Sequence, residues 1–135
     1  MRFISFIAII ALTLLASACS SGPPAPPPTP TNGPSIGQLA SAGQAVFANR
    51  CARCHGANGQ GVTAPPVIGA SANLGKYNTA QGLYAFISTV MPLDAPGALS
   101  QAEYQQLLCL LLVQNNFATA NTPFDQTKLG NIPLK

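Results

Sequence analysis

The chain has 135 residues, of which 47% are hydrophobic and only 7% charged, with a formal net charge of +3. That length holds one small domain, and basic residues this few and this scattered leave no footprint for nucleic acid. Without a leader containing Arg2, five basic residues face three acidic ones, Asp94, Glu103 and Asp125, for a charge of +2. With His55 as the single histidine, no acid–base or nucleophile constellation presents itself.

Met1 to Ala18 reads as a targeting segment. Arg2 supplies the positive start, Phe3 to Leu15 is an apolar run of signal-peptide length and short for a bilayer, and Ala16-Ser17-Ala18 is a small-residue cleavage site. Leu15-Ala16-Ser17-Ala18-Cys19 resembles a bacterial lipobox, with leucine one place early and Ala16 in its position. The favoured reading is cleavage before Cys19 and lipidation of its thiol; the alternative is ordinary secretion with Cys19 as a spare cysteine. Residues 19–34 then form a tether. Seven of the thirteen residues from Gly22 to Pro34 are proline, which excludes helix and sheet and gives a semi-rigid reach of ~40 Å at ~3.1 Å per residue.

The folded domain is expected over 35–135. Ser35 and Gln38 match a capping box opening a first helix to about Asn49. Leu39, Ala42, Gly43, Val46 and Phe47 recur along it at helical spacing. Glycine is costly inside a helix, so Gly43 predicts a second helix crossing close by.

That helix runs into Cys51-Ala52-Arg53-Cys54-His55, which reads C-x-x-C-H, the attachment site of a c-type haem. Two thiols three positions apart reach the two vinyl groups of one porphyrin, and the next residue, His55, is placed to ligate the iron. Three other readings compete. The cysteines can form a plain disulfide or a thioredoxin-like redox pair, but the strand–helix–strand context of the latter is missing. A structural zinc site needs four ligands, and the fourth would have to be Cys109, which lies inside an apolar helical run and reads as a small buried hydrophobe.

Gly56 to Gly75 is predicted as loop, broken by glycines and by Pro65 and Pro66. Thr79 caps a second helix from about Ala80 to Thr89, with Leu83, Phe86, Ile87 and Val90 on its apolar face; Met91-Pro92 ends it. Ser100 and Glu103 form another capping box, opening a last helix to about Asn115. Its leucine-rich run is far too short to cross a membrane and reads as buried. Beyond Phe117 there is little pattern, and Phe124, Leu129, Ile132 and Leu134 are expected to lie against the domain surface. No repeat and no convincing strand appears.

Together these pieces resemble the class I cytochromes c over roughly Ser35 to Phe117. The matching residues are Gly43 and Phe47, then Cys51 to Gly56, then Pro65-Pro66-Val67-Ile68-Gly69, then Met91-Pro92, then the last helix. The resemblance implies an all-α fold of three to four helices and loops around one covalent haem c. It also implies that the first and last helices cross at Gly43, with Leu110 where an aromatic is usual. Pro65 would brace the proximal histidine through its carbonyl, and Ile68 and Phe86 would support the haem pocket. The stretches Leu83 to Pro92 and Tyr104 to Phe117 look most like haem domains serving quinoprotein dehydrogenases. For the sixth iron ligand, the mature chain offers no second histidine and Met91 as its single methionine. Its place before Pro92 and the family pattern select it.

The expected function is electron transfer by a single haem with His55 and Met91 as axial ligands. The carrier would stand on the periplasmic side of a bacterial membrane, lipid-anchored at Cys19, or alternatively be soluble in the periplasm. It would pass electrons between redox proteins, from a dehydrogenase or respiratory complex to an oxidase, and would not be an enzyme by itself. The alternative is a haem enzyme or a sensor of peroxide, NO or CO with a displaceable sixth ligand, a reading that lacks an obvious distal histidine or arginine.

Overall fold

The computed structural model describes residues 33–135. The expected leader, Cys19 and all but the last two positions of the proline-rich tether lie outside them. Among the described residues four α-helices follow in order: α1 Ile36–Arg50, α2 Ala52–His55, α3 Ala80–Val90 and α4 Gln101–Gln114. Two 3-10 turns, Leu74–Tyr77 and Gln126–Asn131, complete the regular structure. Among the described residues there is no strand, only isolated bridges between Ser35 and Pro123 and between Thr79 and Pro133. No helix of the described residues is long and apolar enough to cross a membrane.

Both capping boxes form. Ser35 Oγ accepts from the Gln38 N–H at 3.2 Å while Gln38 Oε1 accepts from the Ser35 N–H at 2.8 Å. At α4 the Glu103 carboxylate accepts from both the N–H and the hydroxyl of Ser100, each at 2.8 Å, and these bonds hold its pKa below the usual carboxylate value. Each box satisfies orphan N–H groups of a first turn, which is why these two helices begin where they do. Thr79 caps α3 through Gly82.

α1 and α4 cross at Gly43. A Cβ built there would collide with the Gln106 carbonyl and come within 3.2 Å of Leu110 Cβ. The missing side chain is therefore what lets the two backbones meet, and Leu110 does occupy the crossing. Gly43→Ala gains up to about 1 kcal/mol in helix propensity but must push the helices apart, an overpacking cost of about 1–3 kcal/mol. Its thermal midpoint is expected to fall by roughly 4–8 °C for each net kcal/mol lost, with the absorption spectrum unchanged; an equal or higher midpoint would show that the crossing is loose.

α4 is the centre of the core. Leu108, Cys109 and Leu112 are fully buried, and Leu107, Leu110 and Leu111 nearly so. Ile36, Ala40 and Phe47 of α1 and Ala80, Leu83 and Ile87 of α3 join them. The C-terminal segment does lie against the domain, and two of its side chains go deeper than a surface contact: Leu129 and Leu134 are each 1% exposed. The backbone ties that segment in, with the Phe124 N–H donating to Pro34 O, the Ala80 N–H to Ile132 O and the Leu134 N–H to Asn78 O, all at 2.9–3.0 Å. It is thus a strap across the starts of α1 and α3.

Candidate functional site

One apolar cavity of about 490 Å³ opens between α1, α2, α3 and α4, within the size range of cofactor pockets. Phe47, Leu83, Phe86, Ile87, Leu107 and Leu111 supply its apolar walls. Cys51, Cys54, His55 and Met91 all line it. Two thiols, one imidazole and one thioether, drawn from positions forty residues apart in sequence, thus face one greasy space.

The turn from Cys51 to His55 is shaped by the backbone. Cys51 closes α1 with its N–H on Phe47 O at 2.8 Å, and the Cys54 and His55 N–H groups return to Cys51 O at 3.1 and 2.9 Å. One helical turn therefore carries both cysteines and the histidine. The following loop folds back on it: the Gly61 N–H donates to His55 O at 2.7 Å, and the N–H groups of Val62, Thr63 and Ala64 point at Cys54 O. A Cβ at Gly59 would stand 2.7 Å from Ile68. Ile68 packs there, under the turn, and is not among the side chains lining the cavity, whereas Pro65 and Phe86 are.

His55 Nδ1 lies 2.8 Å from the Pro65 carbonyl oxygen. A carbonyl can only accept, so Nδ1 carries the proton, and the lone pair belongs to Nε2. That is the tautomer a metal needs. The Pro65 carbonyl is in turn part of a loop held to the end of α4: Asn115 Nδ2 donates to Val67 O at 3.0 Å and to Leu111 O at 2.8 Å, and Asn115 Oδ1 accepts from the Gly69 N–H at 3.1 Å. On the other side, Met91 follows α3. Its N–H donates to Ile87 O at 3.2 Å, and its carbonyl accepts from the hydroxyl of buried Tyr104 at 2.7 Å. Asn115 and Tyr104 were not singled out from sequence; side chains bonding to backbone 46 and 13 positions away leave no local signature.

Cys51 and Cys54 are not joined to each other in a disulfide. Burial pushes the Cys51 thiol up to about 11, the reverse of a low-pKa attacking thiol, so the geometry gives no support to a redox pair. Cys109, pushed up to about 12 by burial, sits inside α4 and does not line the cavity. Among the described residues no group of three or more His, Cys, Asp or Glu side chains could hold a metal ion. Arg50, Arg53 and Lys76 stand at the cavity. Arg53 pairs with Asp94 at 3.1 Å, joining α2 to the segment after Met91, but both side chains are more than half exposed and the pair adds little stability. Lys76 lies 5.0 Å over the ring of Tyr77, which in turn packs on Phe86 at 4.8 Å.

A family model described as Cytochrome c matches residues 40–107. No curated protein matches by sequence. Among solved structures, the sulfane dehydrogenase SoxCD from Paracoccus pantotrophus is similar with a TM-score of 0.61 and 22% identity, over 78% of this chain and 61% of that one. The thiosulfate dehydrogenase TsdBA from Marichromatium purpuratum is similar with a TM-score of 0.45 and 29% identity, over 53% of this chain and 17% of that one. The chain thus spans less than two thirds of the length of either.

Proposed function

The chain belongs to the cytochrome c family, an all-α haem protein whose cofactor is haem c, and from that premise we propose that it is a single-haem electron carrier with His55 and Met91 as axial ligands. Cys51 and Cys54 would hold the haem covalently. The observation that carries this reading is the convergence of Cys51, Cys54, His55 and Met91 on one apolar cavity, with His55 Nδ1 already engaged by Pro65 O.

The haem iron supplies one-electron redox chemistry when bound. The residues do the rest. Cys51 and Cys54 fix the cofactor's position, and the Pro65 carbonyl fixes the tautomer and plane of the His55 ring and raises its basicity. Tyr104 and the end of α3 hold the Met91 backbone, and its thioether would be the group that closes the iron against a substrate. Phe47, Leu83, Phe86 and Leu111 exclude water, which keeps reorganisation small. Arg50 and Lys76 offer cationic partners to the cofactor's carboxylates.

The wider setting is part of the same proposal. Cys19 would be lipidated and the proline-rich tether would stand the domain off the periplasmic side of a bacterial membrane, where it passes electrons from a dehydrogenase or respiratory complex to an oxidase. Tethering there raises the local concentration of a membrane-bound partner.

An absorption spectrum and redox titration of the full chain, made in a host with haem-attachment machinery, test the function. The expected result is a reversible one-electron couple and low-spin spectra in both states that do not change on adding CO or peroxide. Binding of CO to the reduced form, or bleaching by peroxide, would instead favour an enzyme or sensor with an open sixth position.

A further inference from the structure

We propose that Asn115 is a positioning residue for the proximal histidine, acting through the loop that carries Pro65. This rests on the reading of His55 as an iron ligand. Pro65, whose carbonyl receives His55 Nδ1–H, is an exposed loop residue. Pro65 and Pro66 have no N–H of their own and a φ fixed by their rings, so they cannot be anchored by donating a hydrogen bond. What they provide is stiffness: a two-proline strut between Ala64, whose N–H donates to Cys54 O at 3.0 Å, and Val67 on the far side.

Beyond the strut, the stretch from Val67 to Gly69 is anchored by two further sets of bonds. The Val67 and Ile68 N–H groups donate to Gly59 O at 2.8 and 3.0 Å, but Gly59 belongs to the same excursion between α2 and the Leu74–Tyr77 turn and moves with it. Asn115 is the long-range tie. Its amide uses both ends on the loop, donating to Val67 O and accepting from the Gly69 N–H, while a second amide hydrogen bonds Leu111 O in the last turn of α4. α4 is the most buried element of the fold, so the loop inherits its rigidity from the core through one side chain. The Pro65 carbonyl is therefore held from two ends, by Ala64 on Cys54 O and, through the proline strut, by Asn115 at the end of α4, and the second hold couples the His55 hydrogen bond to the core.

Weakening that bond makes the imidazole a poorer donor, which disfavours the oxidised iron and raises the potential. The test uses the holoprotein in its reduced, diamagnetic state. In Asn115→Ala, exchange of the His55 Nδ1–H with solvent, followed by NMR, is expected to rise by about tenfold or more, and the reduction potential to rise. Asn115→Asp keeps the acceptor for Gly69 but turns a carboxylate oxygen on the Val67 and Leu111 carbonyls, and should loosen the loop at least as much as alanine. Gly43→Ala, which loosens the α1–α4 crossing without touching the loop, controls for lost stability alone. If Asn115→Ala lowers the thermal midpoint as Gly43→Ala does but leaves the His55 proton exchange and the potential unchanged, Asn115 is merely structural and the proposal falls. Should the variants not load haem, the wild type still decides: the Gly69 N–H and the His55 Nδ1–H should open together, with matching exchange behaviour under mild denaturant, and independent opening refutes the coupling. If the wild-type His55 ring lacks the large ring-current shifts of a haem-bound imidazole, the ligand assignment itself has failed, an outcome separable from the others.

Discussion

With both Cys51 and Cys54 changed to alanine, the protein is expected to lose covalent haem entirely and, with it, its cooperative fold. The cavity that the cysteines line is about 490 Å³. Without the haem its apolar lining meets water, at a cost of ~25 cal/mol per Å² of apolar surface left unburied. Small domains are stable by only ~5–15 kcal/mol, so that loss is enough to remove the cooperative fold. α4 and α1 retain their crossing and both capping boxes, so the apo chain should keep part of its helix while losing fixed packing, with broad thermal unfolding and exposed apolar surface. The single variants should each keep one linkage, lower the yield of holoprotein, and shift the alkaline pyridine spectrum to longer wavelength because one vinyl group stays conjugated. Intact mass and circular dichroism of the double variant check the first result. A cooperative apo-protein of near-holo stability would show that the helices form a self-sufficient core.

Much of this was legible in the sequence because it rests on local chemistry. Ser35 with Gln38 and Ser100 with Glu103 are signals four residues long, and the helices begin at those caps. The costly Gly43 does mark the α1–α4 crossing, since nothing larger clears the Gln106 carbonyl. The motif from Cys51 to His55 lies on one turn at the mouth of the cavity, as its spacing demands. The rest depends on partners far apart in sequence. Leu129 and Leu134 are fully buried, but they sit in a 3-10 turn and an extended end with no periodicity to betray them. Ile68, expected among the pocket residues, is drawn under Gly59 by the turn that Gly56, Gly59 and Gly61 make, all at positive φ. Tyr104 reads as one more apolar helix residue until its hydroxyl is seen on the Met91 carbonyl, and Asn115 as an ordinary helix end until its amide is seen spanning to Val67 and Gly69.

The remaining large effect is expected at Met91. Its backbone is held from both sides, by Ile87 O on its N–H and by the Tyr104 hydroxyl on its carbonyl, and Leu99 donates to the same hydroxyl at 3.4 Å. Those bonds do not involve the side chain, so Met91→Ala should leave the segment in place and remove only the thioether. The oxidised protein should then become high-spin or water-ligated, and the reduced protein should bind CO. Thioether sulfur is a weak donor that favours the reduced iron; replacing it by imidazole in Met91→His should keep the iron low-spin but lower the potential by on the order of a tenth of a volt or more, within the roughly 0.8 V that axial ligands span. The weak far-red band of sulfur–iron ligation should be present in the oxidised wild type and absent from both variants. Tyr104→Phe supplies the internal comparison, since it keeps the ring packing and removes the bond to the Met91 carbonyl: the far-red band should survive, with CO competing for the sixth position more readily than in the wild type. Persistence of the band and of the wild-type potential in Met91→Ala would mean that another group closes the sixth position, and the carrier reading would then have to be rebuilt on that group.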